Sequence, residues 1–297
     1  TDHHKLIKKG PRRISPFCVP KLMLNACTGN ISLRMNLKGM NLVTATACAS
    51  GAHSLALAAQ QIQLGNADVM ITGGTEAAVS SLCISAFSAM KALSTRNDEP
   101  HRASRPFDRD RDGFVLAEGA AVVVLESLEH ATARGADILG ELLGYGISGD
   151  AHHIAAPAEN GEGAARAMKL AMQNAGINTT DVDYINAHGT STPLGDASEV
   201  QAVKDVFGDH AYELVMSSTK SMTGHGLGAA GGIESVAVMK SITESVIPPT
   251  INLENPDEGF DLDFAPNEAK QRDIKYALNN SFGFGGHNVS LVFGKAP

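Results

Sequence analysis

Two spacings of apolar residues alternate along the chain. Short β-prone runs at 42–47, 67–74, 121–126, 138–147, 182–187, 214–219, 276–280 and 289–293 predict strands, those at 67–74 and 121–126 buried. Between them, Ala/Leu-rich stretches with helical spacing predict helices over 20–33, after Cys48, over 127–134 ending at Gly135, over 161–175 ending at Gly176, and over 196–207 and 229–244. Strands alternating with helices predict an α/β chain with a mostly parallel sheet covered on both faces. Residues 10–20, with Pro11, Pro16 and Pro20, read as a loop, and the Arg- and Asp-rich segment 96–113 as a long surface loop.

The chemistry concentrates where these patterns meet. The run 42–47 stops at Cys48, and a helix pattern follows at once through Ser50 and Gly51. A thiol at a strand-to-helix elbow sits near unpaired N–H groups and a positive dipole end, so its pKa is expected below the usual value of about 8.5. The small neighbours Ala47, Ala49, Ser50 and Gly51 leave room for a substrate carbonyl. A buried structural cysteine is the alternative. Two other segments each place a histidine just after a strand: 186–196, with His188, Thr190 and Thr192, and 217–231, with Lys220 and His225. A cysteine and two histidines at such elbows fit a Cys–His hydrolase or a thioester enzyme, and spacing does not choose between them. The segment Thr46–Gly51 with its helix also looks like Thr219–His225 with its helix, a weak internal repeat that would bring the elbows into one cleft.

Composition narrows the class. The 297 residues permit one large or two ordinary domains, and 43% hydrophobic residues suffice for a sizeable core. A net charge of −8 argues against nucleic acid as the main partner. Basic residues nevertheless gather early, at Lys5, Lys8, Lys9, Arg12, Arg13 and Lys21, as a solvated face or a dock for an acidic partner. Four cysteines without CxxC spacing read as reduced thiols inside a cell. No apolar run approaches the roughly 18 residues of a membrane helix, so no membrane partner is expected. The adjacent pairs His3-His4 and His152-His153 are poorly spaced for a metal and read as surface residues.

Taken jointly, the segments around Cys48, His188, Lys220 with His225, and 282–287 resemble the β-ketoacyl-acyl-carrier-protein synthases. The resemblance extends through 92–97, 111–115 and 248–252 and is closest to the type II members of the elongating type I/II branch. The Cys-His-His set separates that branch from relatives using Cys-His-Asn or Cys-His-Cys. Asn279 and Asn280 are not the relatives' catalytic Asn, and Cys18, Cys27 and Cys83 fall in no matching motif.

The resemblance implies a thiolase-like fold of two similar βα halves, 1–137 and 138–297, layered α-β-α-β-α. Family members begin well upstream of Thr1, so the first half is expected to be truncated, with part of the acyl pocket absent. It implies a decarboxylating Claisen condensation, with acyl- and malonyl-loaded acyl carrier protein as partner. A homodimer, no metal and no organic cofactor complete that expectation. Cys48 would be the nucleophile, and His188 and His225 neutral donors to the enolate oxygen. Lys220 would act electrostatically, paired with Glu234. The backbone N–H groups of Cys48 and Phe284 would hold the oxyanion. Phe284 would gate the acyl pocket with Phe282 beside it, though a core role fits Phe282 equally. Thr190 and Thr192 would bind pantetheine or merely brace their own loop. Arg12, Arg13 and Lys91 would meet the carrier protein. A polyketide ketosynthase domain and a non-condensing partner of a synthase are the alternatives, and Cys48 speaks against the second. The expected location is the bacterial cytoplasm or the interior of a plastid or mitochondrion.

Overall fold

The computed structural model describes residues 2–297, so Thr1 lies outside the described residues. Two compact units divide the chain after Thr44. In the first, helices α1 (Asp2–Lys9), α2 (Cys18–Leu22) and α3 (Ala26–Met35) are joined by loops and a short 3-10 turn at Pro11–Arg13. The single helix expected over 20–33 is therefore broken, ending at Met23 and restarting after Asn25. Arg12 and Arg13 are exposed on the 3-10 turn.

The second unit, Ala45–Pro297, holds the alternating pattern. Its elements are α4 (Ser50–Gln63), β1 (Val69–Glu76), α5 (Ser81–Ala89), β2 (Gly119–Glu126), α6 (Leu128–Ala133), β3 (Glu141–Gly149), α7 (Glu162–Ala175), β4 (Tyr184–Asn186), α8 (Pro193–Phe207), β5 (Val215–Ser217), α9 (Lys220–Thr223), α10 (Ala230–Glu244), β6 (Val246–Ile247), β7 (Lys270–Gln271), β8 (Tyr276–Gly283) and β9 (His287–Gly294). A five-stranded sheet runs in the order β3-β9-β8-β4-β5. β8, β4 and β5 are parallel, whereas β3, β9 and β8 pair antiparallel. The expected mostly parallel sheet is thus half antiparallel, because β8 and β9 are joined by a tight hairpin rather than a helical crossover.

Side chains alternate across this sheet with period two. Ile185, Met216, Leu278 and Val292 point into a core shared with Met168 of α7 and Val203 of α8. Tyr184, Val215, Ala277 and Leu291 point into a second core with Leu55 of α4 and Val238 of α10. The β1–β2 ribbon packs on the other side of α4 and α10. The result is helix, sheet, helix and ribbon layers, with α4 and α10 in the middle. The ribbon is not the buried pair expected, since Val122 and Val124 of β2 are exposed on its outer face.

Glycines set how closely the middle helices meet. A Cβ on Gly51 would lie 2.7 Å from the Gly232 nitrogen, so α4 and α10 cross backbone to backbone. The elbows leading into these helices are twins. A 3-10 turn at Ala47–Ala49 precedes α4 and another at Leu227–Ala229 precedes α10, and the first residue of each has a left-handed φ, 49° at Ala47 and 46° at Leu227. The internal repeat is therefore geometric, but its register differs from the sequence match. Cys48 corresponds to Gly228, not to the Lys220–His225 segment.

Segment 96–113 is not a surface loop throughout. Arg105, Phe107, Asp108 and Arg111 are buried, and Phe107 stacks on Phe264 at 4.4 Å in the first core. Arg105 bonds Asp108 within the segment, and Asp108 in turn accepts the distant Glu254 and Asn255 N–H groups.

Candidate active site

Cys48 sits in the middle of the Ala47–Ala49 turn, buried, just ahead of α4. No strand precedes it: residues 42–46 are irregular, so the elbow joins a loop to a helix. The thiol is pushed up to about 11. Burial is the dominant cause, opposed by the Lys220 charge and by hydrogen bonds to the sulfur from the Phe284 and Cys48 N–H groups. The lowered thiol pKa expected from the helix N-terminus is thus corrected, because the desolvation of a thiolate outweighs the favourable dipole and N–H groups here.

The two histidines lie on loops leaving parallel neighbours. His188 follows β4 and His225 follows the single turn of α9 beyond β5. Their ring centroids are 5.4 Å apart with planes at 86°. Burial and the Lys220 charge hold both well below the ordinary histidine value, so both are neutral at physiological pH. Each Nδ1 is buried without a hydrogen-bond partner. Lys220 forms a buried ion pair with Glu234 of α10, and its charge acts on Cys48, His188 and His225 alike.

Phe282 lies near the end of β8, which continues to Gly283 where a loop from 281 was expected, and Phe284 opens the hairpin turn. Phe282 packs against the first core and lies 5.7 Å from His188, ring to ring. Phe284 is partly exposed. The hairpin sits hard against the elbow: a Cβ on Gly283 would stand 2.5 Å from the Thr46 carbonyl oxygen and 3.2 Å from the Cys48 nitrogen.

Thr190 and Thr192 share a hydrogen bond of 3.0 Å in the loop after His188. Lys91 is exposed after α5, at a left-handed φ of 56°. His3, His4, His152 and His153 are exposed. Among the described residues no group of three or more His, Cys, Asp or Glu side chains is arranged to hold a metal ion. All four cysteines are free. Among the described residues no helix is long and apolar enough to cross a membrane.

Several residues escaped the sequence reading. Glu199 on α8 accepts the His188 N–H at 2.9 Å, the Gly189 N–H at 2.8 Å and the Asn280 amide at 3.2 Å. Burial pushes its carboxyl up to about 7 against those donors. Asp196, one turn earlier, accepts the Ser191 and Phe107 N–H groups and lies 3.6 Å from Arg111. Burial pushes it up to about 6. The available signal was two acids, three apart, on the face of α8 that also buries Val200 and Val203.

The β-ketoacyl synthase N-terminal domain matches residues 1–131, and the β-ketoacyl synthase C-terminal domain matches 139–254. The chain belongs to the β-ketoacyl synthase family. Its relatives include the 3-oxoacyl-[acyl-carrier-protein] synthase 2 of Vibrio harveyi, 52% identical over 99% of this chain and 71% of the relative. The protein of the same name from Staphylococcus aureus (strain COL) is 56% identical over 99% of this chain and 70% of its own length. Among solved structures, a β-ketoacyl synthase from Burkholderia phymatum STM815 superposes with a TM-score of 0.94 at 38% identity, covering 100% of this chain and 72% of that one. A type II polyketide ketosynthase in complex with its acyl-carrier protein gives 0.95 at 37% identity, over 99% of this chain and 74% of the other. This β-ketoacyl synthase family member has the thiolase-like α/β fold of those structures, and its central sheet is the mixed one described above.

Proposed function

We propose that this chain catalyses the decarboxylating condensation of fatty-acid elongation, as a 3-oxoacyl-acyl-carrier-protein synthase. The observation that carries the reading is a pair of neutral imidazoles, half-buried His188 and buried His225, that feel the same Lys220 charge as a thiol whose sulfur is met by two backbone N–H groups.

In the first half-reaction the Cys48 sulfur attacks the thioester carbonyl of an acyl-carrier protein. The oxyanion is held by the Cys48 and Phe284 N–H groups, and the thiol proton leaves with the pantetheine sulfur. Malonyl-carrier protein then loses CO₂, and its electron pair forms an enolate. His188 and His225 donate hydrogen bonds to the enolate oxygen. With each Nδ1 buried and unpartnered, we assign the proton to Nε2. The enolate carbon attacks the acyl-Cys48 carbonyl, and the tetrahedral intermediate expels the Cys48 sulfur. The Lys220 charge and the Phe284 and Cys48 N–H groups favour the departing thiolate, which then takes a proton from solvent. No step as written calls for a metal or organic cofactor.

Lys220, tied to Glu234, supplies a fixed positive charge beneath all three groups. Phe284 gates the acyl pocket, with Phe282 as its core anchor. Thr190 and Thr192 bind the pantetheine arm, while Arg12, Arg13 and Lys91 bind the acidic carrier protein. Halves 1–137 and 138–297 carry the nucleophile and the histidines respectively, in a homodimer. Bacterial relatives favour the cytoplasm over an organelle interior.

The test is intact-protein mass after incubation with an acyl-carrier-protein thioester. An acyl-sized gain that disappears in Cys48→Ala supports the reading, and no gain in a folded wild-type protein removes it. The polyketide alternative uses the same site. Identity to the 3-oxoacyl-acyl-carrier-protein synthases, 52–56%, against 37% to the polyketide ketosynthase, favours fatty-acid elongation.

A further inference from the structure

The residue before Cys48 has a conformation that an alanine adopts only under constraint. Ala47 has a φ of 49° and is exposed, so no packing around its own methyl holds it there. The constraint comes from two side chains on the first turn of α4. The Thr46 N–H donates to Ser50 Oγ at 2.9 Å, and the Ser50 hydroxyl donates to the Ala47 carbonyl at 2.7 Å. One oxygen thus spans the left-handed residue, from the peptide group before Thr46 to the one after Ala47. His53, buried one turn further, brings Nδ1 to 2.9 Å from Thr46 Oγ1 and 3.1 Å from the Ala49 carbonyl. A carbonyl accepts only, so the arrangement requires the proton on Nδ1, with Thr46 Oγ1 sharing it. Burial keeps this imidazole neutral, which suits that single shared proton.

These contacts anchor the chain on both sides of Cys48 while leaving the Cys48 N–H directed at its own sulfur. The neighbouring hairpin has no slack to follow a displaced elbow, because Gly283 already abuts the Thr46 oxygen and the Cys48 nitrogen. A shift of Ala47 into an ordinary conformation would separate the sulfur from the Phe284 N–H. We propose that Ser50 and His53 are positioning residues that hold the strained Thr46–Ala49 elbow in the one conformation presenting Cys48 to its substrate. The role of Cys48 rests on the function proposed above, but the elbow's geometry does not.

The experiment measures alkylation of Cys48 by iodoacetamide, located by peptide mass, over a pH series, together with the melting temperature. Variants are Ser50→Ala, Ser50→Thr, His53→Leu and His53→Asn. Alkylation should slow by about tenfold to a hundredfold in Ser50→Ala and His53→Leu, the scale of a small misplacement of a reacting atom. Ser50→Thr keeps the bridging oxygen and His53→Asn keeps a short side-chain donor, so both should recover most of the rate. With acyl-carrier substrate, the first pair should lose kcat with KM unchanged. A role confined to stability would lower the melting temperature and leave alkylation of the folded protein unchanged, which overturns the proposal. Equal loss in Ser50→Thr and Ser50→Ala overturns it too. If Ser50→Ala does not fold, the His53 pair decides by the same criteria. Slowed alkylation with rescue, in a protein whose wild type takes no acyl group, would uphold the elbow and remove the synthase reading.

Discussion

Lys220 and Glu234 form an ion pair in which the side chains are only 1% and 2% exposed. Breaking such a pair by removing one partner typically costs about 3–5 kcal/mol, because the other charge stays buried. The two removals should have opposite effects on Cys48. Lys220 lowers the thiol pKa and Glu234 raises it, so Lys220→Met should slow alkylation of Cys48 at pH 8 and Glu234→Gln should quicken it. Thermal melts and iodoacetamide rates on each variant read both effects. A double Lys220→Met/Glu234→Leu variant should regain most of the lost stability.

The thiol itself should behave as a poor nucleophile until strongly basic pH. With burial holding Cys48 near 11, its alkylation rate should climb about tenfold per pH unit through pH 9 without levelling off. A plateau below pH 8 would show that the helix end and the N–H groups outweigh desolvation after all.

Buried histidines and buried acids give the fold opposing responses to pH. His188 and His225 have folded values well below the ordinary 6.5, so the unfolded chain binds protons there that the folded one refuses. Their contribution is present above about pH 6.5 and declines as pH falls. Glu199 and Asp196 are raised to about 7 and about 6, so their contribution is present below their unfolded values and is lost as pH rises through that window. Relative to wild type, His225→Gln should therefore gain stability between pH 7 and 5. Glu199→Gln should recover part of its deficit between pH 4.5 and 8. Denaturant titrations at each pH measure both differences.

The crossing of α4 and α10 has no room for a methyl group. Gly51→Ala would force a Cβ to 2.7 Å from the Gly232 nitrogen, and Gly231→Ala one to 2.5 Å from the Ala52 nitrogen. Overpacking of this kind costs about 1–3 kcal/mol, to be read as a lowered denaturation midpoint in either variant.

The sequence singled out Cys48, His188 and His225 as candidates, and with them the helices around them, because each stands where one residue pattern gives way to another. It was less informative where a residue's role depends on a distant partner. Asp196 and Glu199 belong to no motif that the sequence marks out, and Arg105 and Arg111 fall in the stretch read as a surface loop. Their partners lie in other segments, as Ser191 Oγ does for the Arg105 N–H. The Cys48 pKa was misjudged for a related reason, since the helix end is local but burial is a property of everything packed around it. The antiparallel half of the sheet was also missed, because alternation marks a strand's faces and not its direction. The break at 23–25, with its two short helices, falls in a stretch whose apolar residues are spaced helically throughout.

The twin elbows divide the labour unequally: one carries the thiol and the other, at Gly228, carries no side chain at all. A Cβ there would stand 3.3 Å from the flexible end of Glu76, with the next atoms, on Ala47 and Ser50, at 3.7 Å. The scaffold therefore holds a vacant copy of the mount that carries Cys48. Gly228→Cys would furnish it, and each of the two crossing helices would then be entered through a thiol.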